Sequence, residues 1–203
     1  MRRLLLWAIP SLSALLICAA LIAAAPEQNS SDQNASAPSY TKDGKLVRPE
    51  NYRDWVYLSS GLGMSYSSPA NDPNPAFTNV FVPRASYDQF VQTGKWPEKT
   101  IFLIEERKSS SRGSINKAGH YQTDIAGYAV EVKDSSRFPD KWAYFGFGPD
   151  DKAAAAVSPS KNACWSCHND NAAVEHTFVQ FYPTLKPVAQ KFGVYRETAE
   201  TAK

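Results

Sequence analysis

Methionine, histidine and cysteine are all scarce in this chain of 203 residues, with two, three and three copies. That scarcity limits what the chain can hold. A structural zinc site wants about four ligands. Only Cys164, Cys167 and His168 stand together, so zinc would have to recruit distant His120 or His176. A basic excess is missing as well. The formal charge is +2, and Arg2 and Arg3 account for it: without them the 22 Lys and Arg fall to 20, level with the 20 Asp and Glu. Nothing basic is left to track a nucleic-acid backbone. Internal repeats are absent, and no helical crossover is long enough to join parallel strands.

Long apolar runs are confined to one place. After Arg2 and Arg3 the chain is apolar from Leu4 to Ala25, apart from two serines and a proline, which a soluble domain could not leave exposed. Residues 1–25 read as a signal peptide ending in the small residues Ala23, Ala24 and Ala25, or as an uncleaved N-terminal anchor. Bulky Ile17 before Cys18 argues against a lipid-anchoring cysteine. Export places the remainder in the periplasm, with membrane attachment only if the leader is kept. Residues 26–40, rich in Ser, Asn, Gln and Pro, read as a disordered tether. Residues 41–195 hold the apolar and aromatic content of one domain, and 196–203 read as a tail.

Within the domain the pattern is mostly that of strands. Trp55, Val56 and Tyr57 suggest a first strand, "NVFV" and "TIFLIEERKS" two more, with Met64 in a Gly/Ser/Pro-rich loop between the first two. "YAVEVKD" alternates with Tyr128, Val130 and Val132 on one face, and "WAYFGFG" sets Trp142 and Tyr144 opposite Ala143, Phe145 and Phe147. "RASYDQFVQTG" has helical spacing and a glycine stop at Gly94. A second helix is expected after His168, over "NAAVEHTFVQFY", until Pro183 and Pro187 interrupt it. The fold class is α+β, mainly antiparallel sheet with peripheral helices.

Once the leader is removed, the two remaining cysteines fall in "CWSCH", Cys164 to His168. Two thiols at this spacing can each form a thioether to a haem vinyl group, and the adjoining histidine then serves as axial ligand to the iron. A structural disulfide would leave His168 idle, and a thioredoxin-like redox pair would want a βαβ context. One haem c, attached through Cys164 and Cys167 near the C-terminus with His168 on the iron, is the expectation. The sixth position is open to Met64, which would make a low-spin electron carrier, to His120 or His176, or to water or an external ligand.

"RPENYRDWVYL", "ASYDQFVQTGKWPEKT", "VEVKDSSRFPDKWAYFGF" and "CWSCHNDNAAVEHTFVQFYPTL" together resemble the cytochrome P460 family from about Gly44 to Leu185. The resemblance implies exported, often dimeric monohaem proteins with an antiparallel sheet and a five-coordinate haem facing small nitrogen species. In the type enzymes a lysine bonded to the haem edge accompanies oxidation of hydroxylamine, with electrons passing to a soluble acceptor. Relatives without it, such as cytochrome c prime-beta, bind nitric oxide or carbon monoxide in an apolar pocket. In this sequence the lysine's place falls on Ile104 and that of a nearby distal arginine on Thr78. Lys99 and Lys108 flank Ile104 by five and four residues, the latter about 13 Å along a strand. If Ile104 faces the haem, alternation brings Phe102 and Glu106 to the same side and turns Glu105 away. Thr78, Ile104, Glu106 and Glu175 are therefore the distal candidates. The functions expected are an oxidoreductase for hydroxylamine or nitric oxide, or a non-catalytic binder of nitric oxide or carbon monoxide.

Overall fold

Five strands that follow one another in the chain also lie side by side in the central sheet of the computed structural model, which describes residues 37–64, 72–157 and 163–200. They are β2 (Val56–Leu62), β3 (Phe77–Val82), β4 (Ile101–Ser110), β5 (Tyr121–Lys133) and β6 (Trp142–Phe147), each antiparallel to the next. A second, two-stranded sheet pairs β1 (Leu46–Val47) with β7 (Ala153–Ala154). Helix α1 (Arg84–Thr93) follows β3, α2 (Ala163–Asn171) carries the cysteines, and α3 (Lys186–Lys191) lies near the C-terminus. The antiparallel α+β expectation holds. The leader and the tether up to residue 36 lie outside the described residues.

The central strands are apolar on both faces because both faces are covered. On one, Ile101, Leu103, Val130, Val132, Ala143, Phe145 and Phe147 pack under Leu46, Tyr52 and Trp55. On the other, Phe102, Trp142 and Tyr144 pack with Leu58 and Val82 against Phe90 of α1, Trp96, and the C-terminal residues Val174, Val179, Tyr182 and Leu185. Phe90 stacks on Trp96 with ring centres 4.0 Å apart, and Trp96 meets Phe102 edge-on at 4.8 Å. Helix α1 ends where the sequence predicts. Gly94 takes φ 70°, and its N–H reaches the Phe90 carbonyl at 2.7 Å, a left-handed cap that suits glycine because it has no Cβ.

Five boundaries differ from the sequence reading. β1 precedes the strand expected at Trp55, and Trp55 is a buried core residue just before β2. Tyr40, assigned to the tether, bridges to Leu46 and lies under the Arg137 guanidinium at 3.8 Å. The helix expected after His168 ends at Asn171, because Glu175 and His176 both take positive φ and fold the chain back into a bridge between Val174 and Thr177. His176 is therefore on a tight turn and not on a helix. Pro187 does not interrupt a helix but opens α3 in its first turn, where the missing N–H costs nothing. Beyond it, Arg196 donates to the carbonyls of Ala172 and Ala173, so the tail's first residues are docked.

Candidate functional site

Helix α2 gathers the motif. Positions i, i+3 and i+4 share a helical face, which groups Cys164, Cys167 and His168. Both cysteines are free thiols; Cys164 is exposed and Cys167 half-buried, with the Asn171 amide donating to the Cys167 carbonyl at 3.0 Å. The helix packs on β6. His168, at 8% exposure, turns into the protein between Tyr144 and Phe178, each ring centre 4.5 Å from its own.

The two nitrogens of His168 have different partners. Nδ1 lies 2.7 Å from the His176 carbonyl. A carbonyl only accepts, so Nδ1 carries a proton, and in the neutral ring Nε2 presents its lone pair. That tautomer is the one a metal-binding imidazole adopts when its other nitrogen is hydrogen-bonded. Nε2 looks toward Glu131 of β5, whose Oε1 is 3.6 Å away.

Glu131 is a carboxyl of unusual environment. Burial pushes its pKa up, and the neighbouring His168 only partly opposes this. Glu105, three rows along the sheet and on the opposite face, shows the contrast. Burial would raise it too, but bonds from Arg107, Tyr52 and Asn79 outweigh that effect and hold its pKa below the ordinary value. A buried carboxyl with donors keeps its charge; one without them favours the proton. Beside Glu131, burial is also the main cause that raises the Tyr144 phenol and lowers the His176 imidazole. Tyr144 Oη and His176 Nδ1 are both buried without a hydrogen-bond partner among the described residues.

Sheet register places the distal candidates. On the face toward α2, Phe102, Glu131 and Tyr144 form one cross-strand row, and Val80, Ile104, Ala129 and Gly146 the next. Thr78, Glu106 and Gly127 form a third. Thr78, Ile104 and Glu106 are thus brought together, as alternation along β4 anticipates, and Glu105 points away. Glu175 does not join them. It sits on the turn behind His168, paired with Lys133 at 2.5 Å. Neither lysine flanking Ile104 falls in its row: Lys99 precedes β4, bound to Asp134, and exposed Lys108 lies within β4 beyond Glu106.

The remaining ligand candidates lie elsewhere. Met64 is half exposed and folds its side chain over Gly61 of β2, four strand spacings, about 19 Å, from β6. His120 Nε2 lies 2.9 Å from the Pro73 carbonyl. The His176 ring packs between Trp142 and Trp165.

These residues fit a haem c. Two thiols and an imidazole with a free Nε2 share one helix face, and buried polar atoms beside them lack partners. The second row of the sheet is only half-covered, with nothing within 4 Å of where a side chain on Gly146 would begin. Sequence reasoning overlooked Glu131, Lys133, Tyr144 and Phe178. For Glu131 a signal existed: its neighbouring strands are apolar on both faces, so a charged residue between valines on the strand they flank has to be buried.

Comparison with known proteins agrees with this geometry. No curated protein matches the chain. The model of the family Cytochrome P460 matches residues 49–179, from the segment before β2 through the cysteine motif to Val179. The match spans most of the chain and includes every site residue above, so the chain belongs to the cytochrome P460 family, which implies a c-type haem protein.

Proposed function

We propose that the chain is an exported, periplasmic protein in which Cys164 and Cys167 carry one haem c, His168 binds its iron, and the opposite side receives a small neutral nitrogen ligand, nitric oxide. The haem supplies a coordination position and a one-electron couple. The row Val80, Ile104 and Ala129 carries this reading. It is apolar and half-buried, and the place where the family's type enzymes have a cross-linking lysine is here an isoleucine. Such a surface excludes water and does not hydrogen-bond a ligand. Met64, His120 and His176 each have another placement, which supports an open sixth position.

Glu131 favours a second reading, oxidation of hydroxylamine with electrons leaving to a soluble acceptor. Each oxidation step of that substrate releases a proton, and Glu131, a buried carboxyl on the same face, accepts one when it is ionised, as the stronger base that its raised pKa makes it.

The test is an optical spectrum of protein from a host able to attach haem. A high-spin ferrous form that takes up nitric oxide and carbon monoxide is expected. A six-coordinate, low-spin ferrous form would end both readings. Haem that stays with the denatured polypeptide, and is lost in a Cys164→Ser/Cys167→Ser double variant, checks the attachment. Turnover of hydroxylamine with an artificial acceptor divides the readings. If turnover occurs, Glu131→Gln lowers it about 100-fold, the scale of a positioned proton acceptor.

A further inference from the structure

Two adjacent residues that lack glycine's freedom take left-handed conformations, Glu175 at φ 40° and His176 at φ 65°. They are the two central residues of a turn closed on both sides, Thr177 N–H to the Val174 carbonyl at 2.7 Å and Val174 N–H to the Thr177 carbonyl at 3.2 Å. Turns with two positive φ angles ordinarily carry Asn-Gly. Glutamate and histidine there are strained, and such strain persists only where the surroundings over-determine it.

Those surroundings can be named. Lys133 Nζ donates to Glu175 Oε2 at 2.5 Å and to the Trp96 carbonyl at 2.8 Å. The Thr177 hydroxyl donates to the Val174 carbonyl at 2.6 Å and accepts from Trp96 Nε1 at 2.9 Å. The lysine side chain is 12% exposed and the glutamate 36%, so the pair is buried at its ammonium end and open to solvent at its carboxylate. What the turn delivers is the His176 carbonyl, 2.7 Å from His168 Nδ1. Lys133 lies two residues beyond Glu131 on the same face of β5. One strand therefore carries both the acid 3.6 Å from Nε2 and, through the turn, the lysine that steadies the acceptor of Nδ1.

We infer that Lys133 and Glu175 are positioning residues for the axial imidazole: their ion pair holds the strained 174–177 turn so that the His176 carbonyl fixes His168 and sets how strongly its Nε2 donates to the iron. The inference rests on the reading that His168 binds haem iron. A firmly held Nδ1–H to carbonyl bond gives the imidazole more anionic character, which favours ferric over ferrous iron. Slackening the turn weakens that donation.

The experiment measures the iron–imidazole stretch of the ferrous haem-loaded protein by resonance Raman spectroscopy, together with its reduction potential. In both Glu175→Gln and Lys133→Met the stretch is expected to fall and the potential to become more positive. The exchanged pair, Lys133→Glu with Glu175→Lys, is expected to return both toward the wild-type values. The two single variants change charge in opposite senses, so a purely through-space effect would move their potentials in opposite directions. Opposite shifts overturn the inference. So do lowered unfolding midpoints with stretch and potential unchanged, the result of a merely structural pair. Absence of any iron–imidazole stretch in the wild-type protein would instead refute the ligation on which the inference rests.

Discussion

Glu105→Gln is the most demanding test of how the sheet holds its shape. Glu105 is 1% exposed and accepts from Arg107 Nε at 2.6 Å, Asn79 Nδ2 at 3.1 Å, the Tyr52 hydroxyl, and Arg53 at 2.5 Å. The Arg53 side chain is half exposed, so its pair is screened and contributes little. Arg107, Tyr52 and Asn79 are different, because the carboxylate is the buried acceptor they share. Without it Asn79 keeps its bond to Gln122 Oε1 at 2.7 Å and Arg107 its bond to the Thr123 carbonyl at 2.6 Å, but the donors aimed at Glu105 lose a full acceptor. Removing one partner of a buried pair costs about 3–5 kcal/mol. Glutamine keeps the shape and one oxygen, so the lower end, about 3 kcal/mol, is expected. For a domain of this size that lowers Tm by about 6–12 °C, read by circular dichroism. The effect depends on pH with a definite sign. The folded-state pKa of Glu105 is depressed, so its stabilisation is present above the ordinary carboxyl value of about 4.3 and is lost as pH falls through the lower folded value. The gap between wild type and variant therefore narrows in acid. A loss under about 0.5 kcal/mol at neutral pH, the size of an ordinary surface substitution, would refute the reasoning.

Three other substitutions probe separate parts of the fold. In Gly94→Ala the new Cβ would meet Phe192 Cβ at 2.7 Å from a left-handed backbone, so urea unfolding is expected to show a loss of about 1–3 kcal/mol. Thr177→Val keeps the side chain's shape but removes the acceptor of Trp96 Nε1. The unpaired buried N–H should cost about 1–3 kcal/mol in the same assay. Glu131 behaves oppositely to Glu105. Its folded-state pKa is raised, so its contribution is present below the ordinary carboxyl value and lost as pH rises. Glu131→Gln should thus gain stability relative to wild type as pH rises above the ordinary carboxyl value of about 4.3, measured by denaturant midpoints; a constant difference contradicts a raised folded-state pKa.

Local patterns in the sequence were enough for much of this protein. The period-two alternation of β4, β5 and β6 fixes which residues share a face, and along β4 it grouped Ile104 with Glu106 and turned Glu105 away. Gly94 marks the end of α1 because only a residue without a Cβ takes that backbone angle without strain. The CWSCH pentad is equally local, since one turn of helix places its three chemical groups on a single face.

Where the reading went astray, the deciding contacts were distant in the chain. The segment after His168 looks helical by spacing, yet it is bent into a turn by Lys133, from a strand 42 residues away, and by the Trp96 contact to Thr177, 81 residues away. Burial of Glu131 is legible from the valines beside it, but its place 3.6 Å from His168 Nε2 follows only from the packing of α2 on the sheet. The sequence alone determined the central strands, their faces, the first helix and the Cys-x-x-Cys-His spacing, because those depend on neighbours within a turn or two of chain. Only the tertiary structure decided which acid stays charged, which proton His168 keeps and which carbonyl holds it, because burial and donor geometry are set by segments that meet only when the sheet and the C-terminal helices pack together.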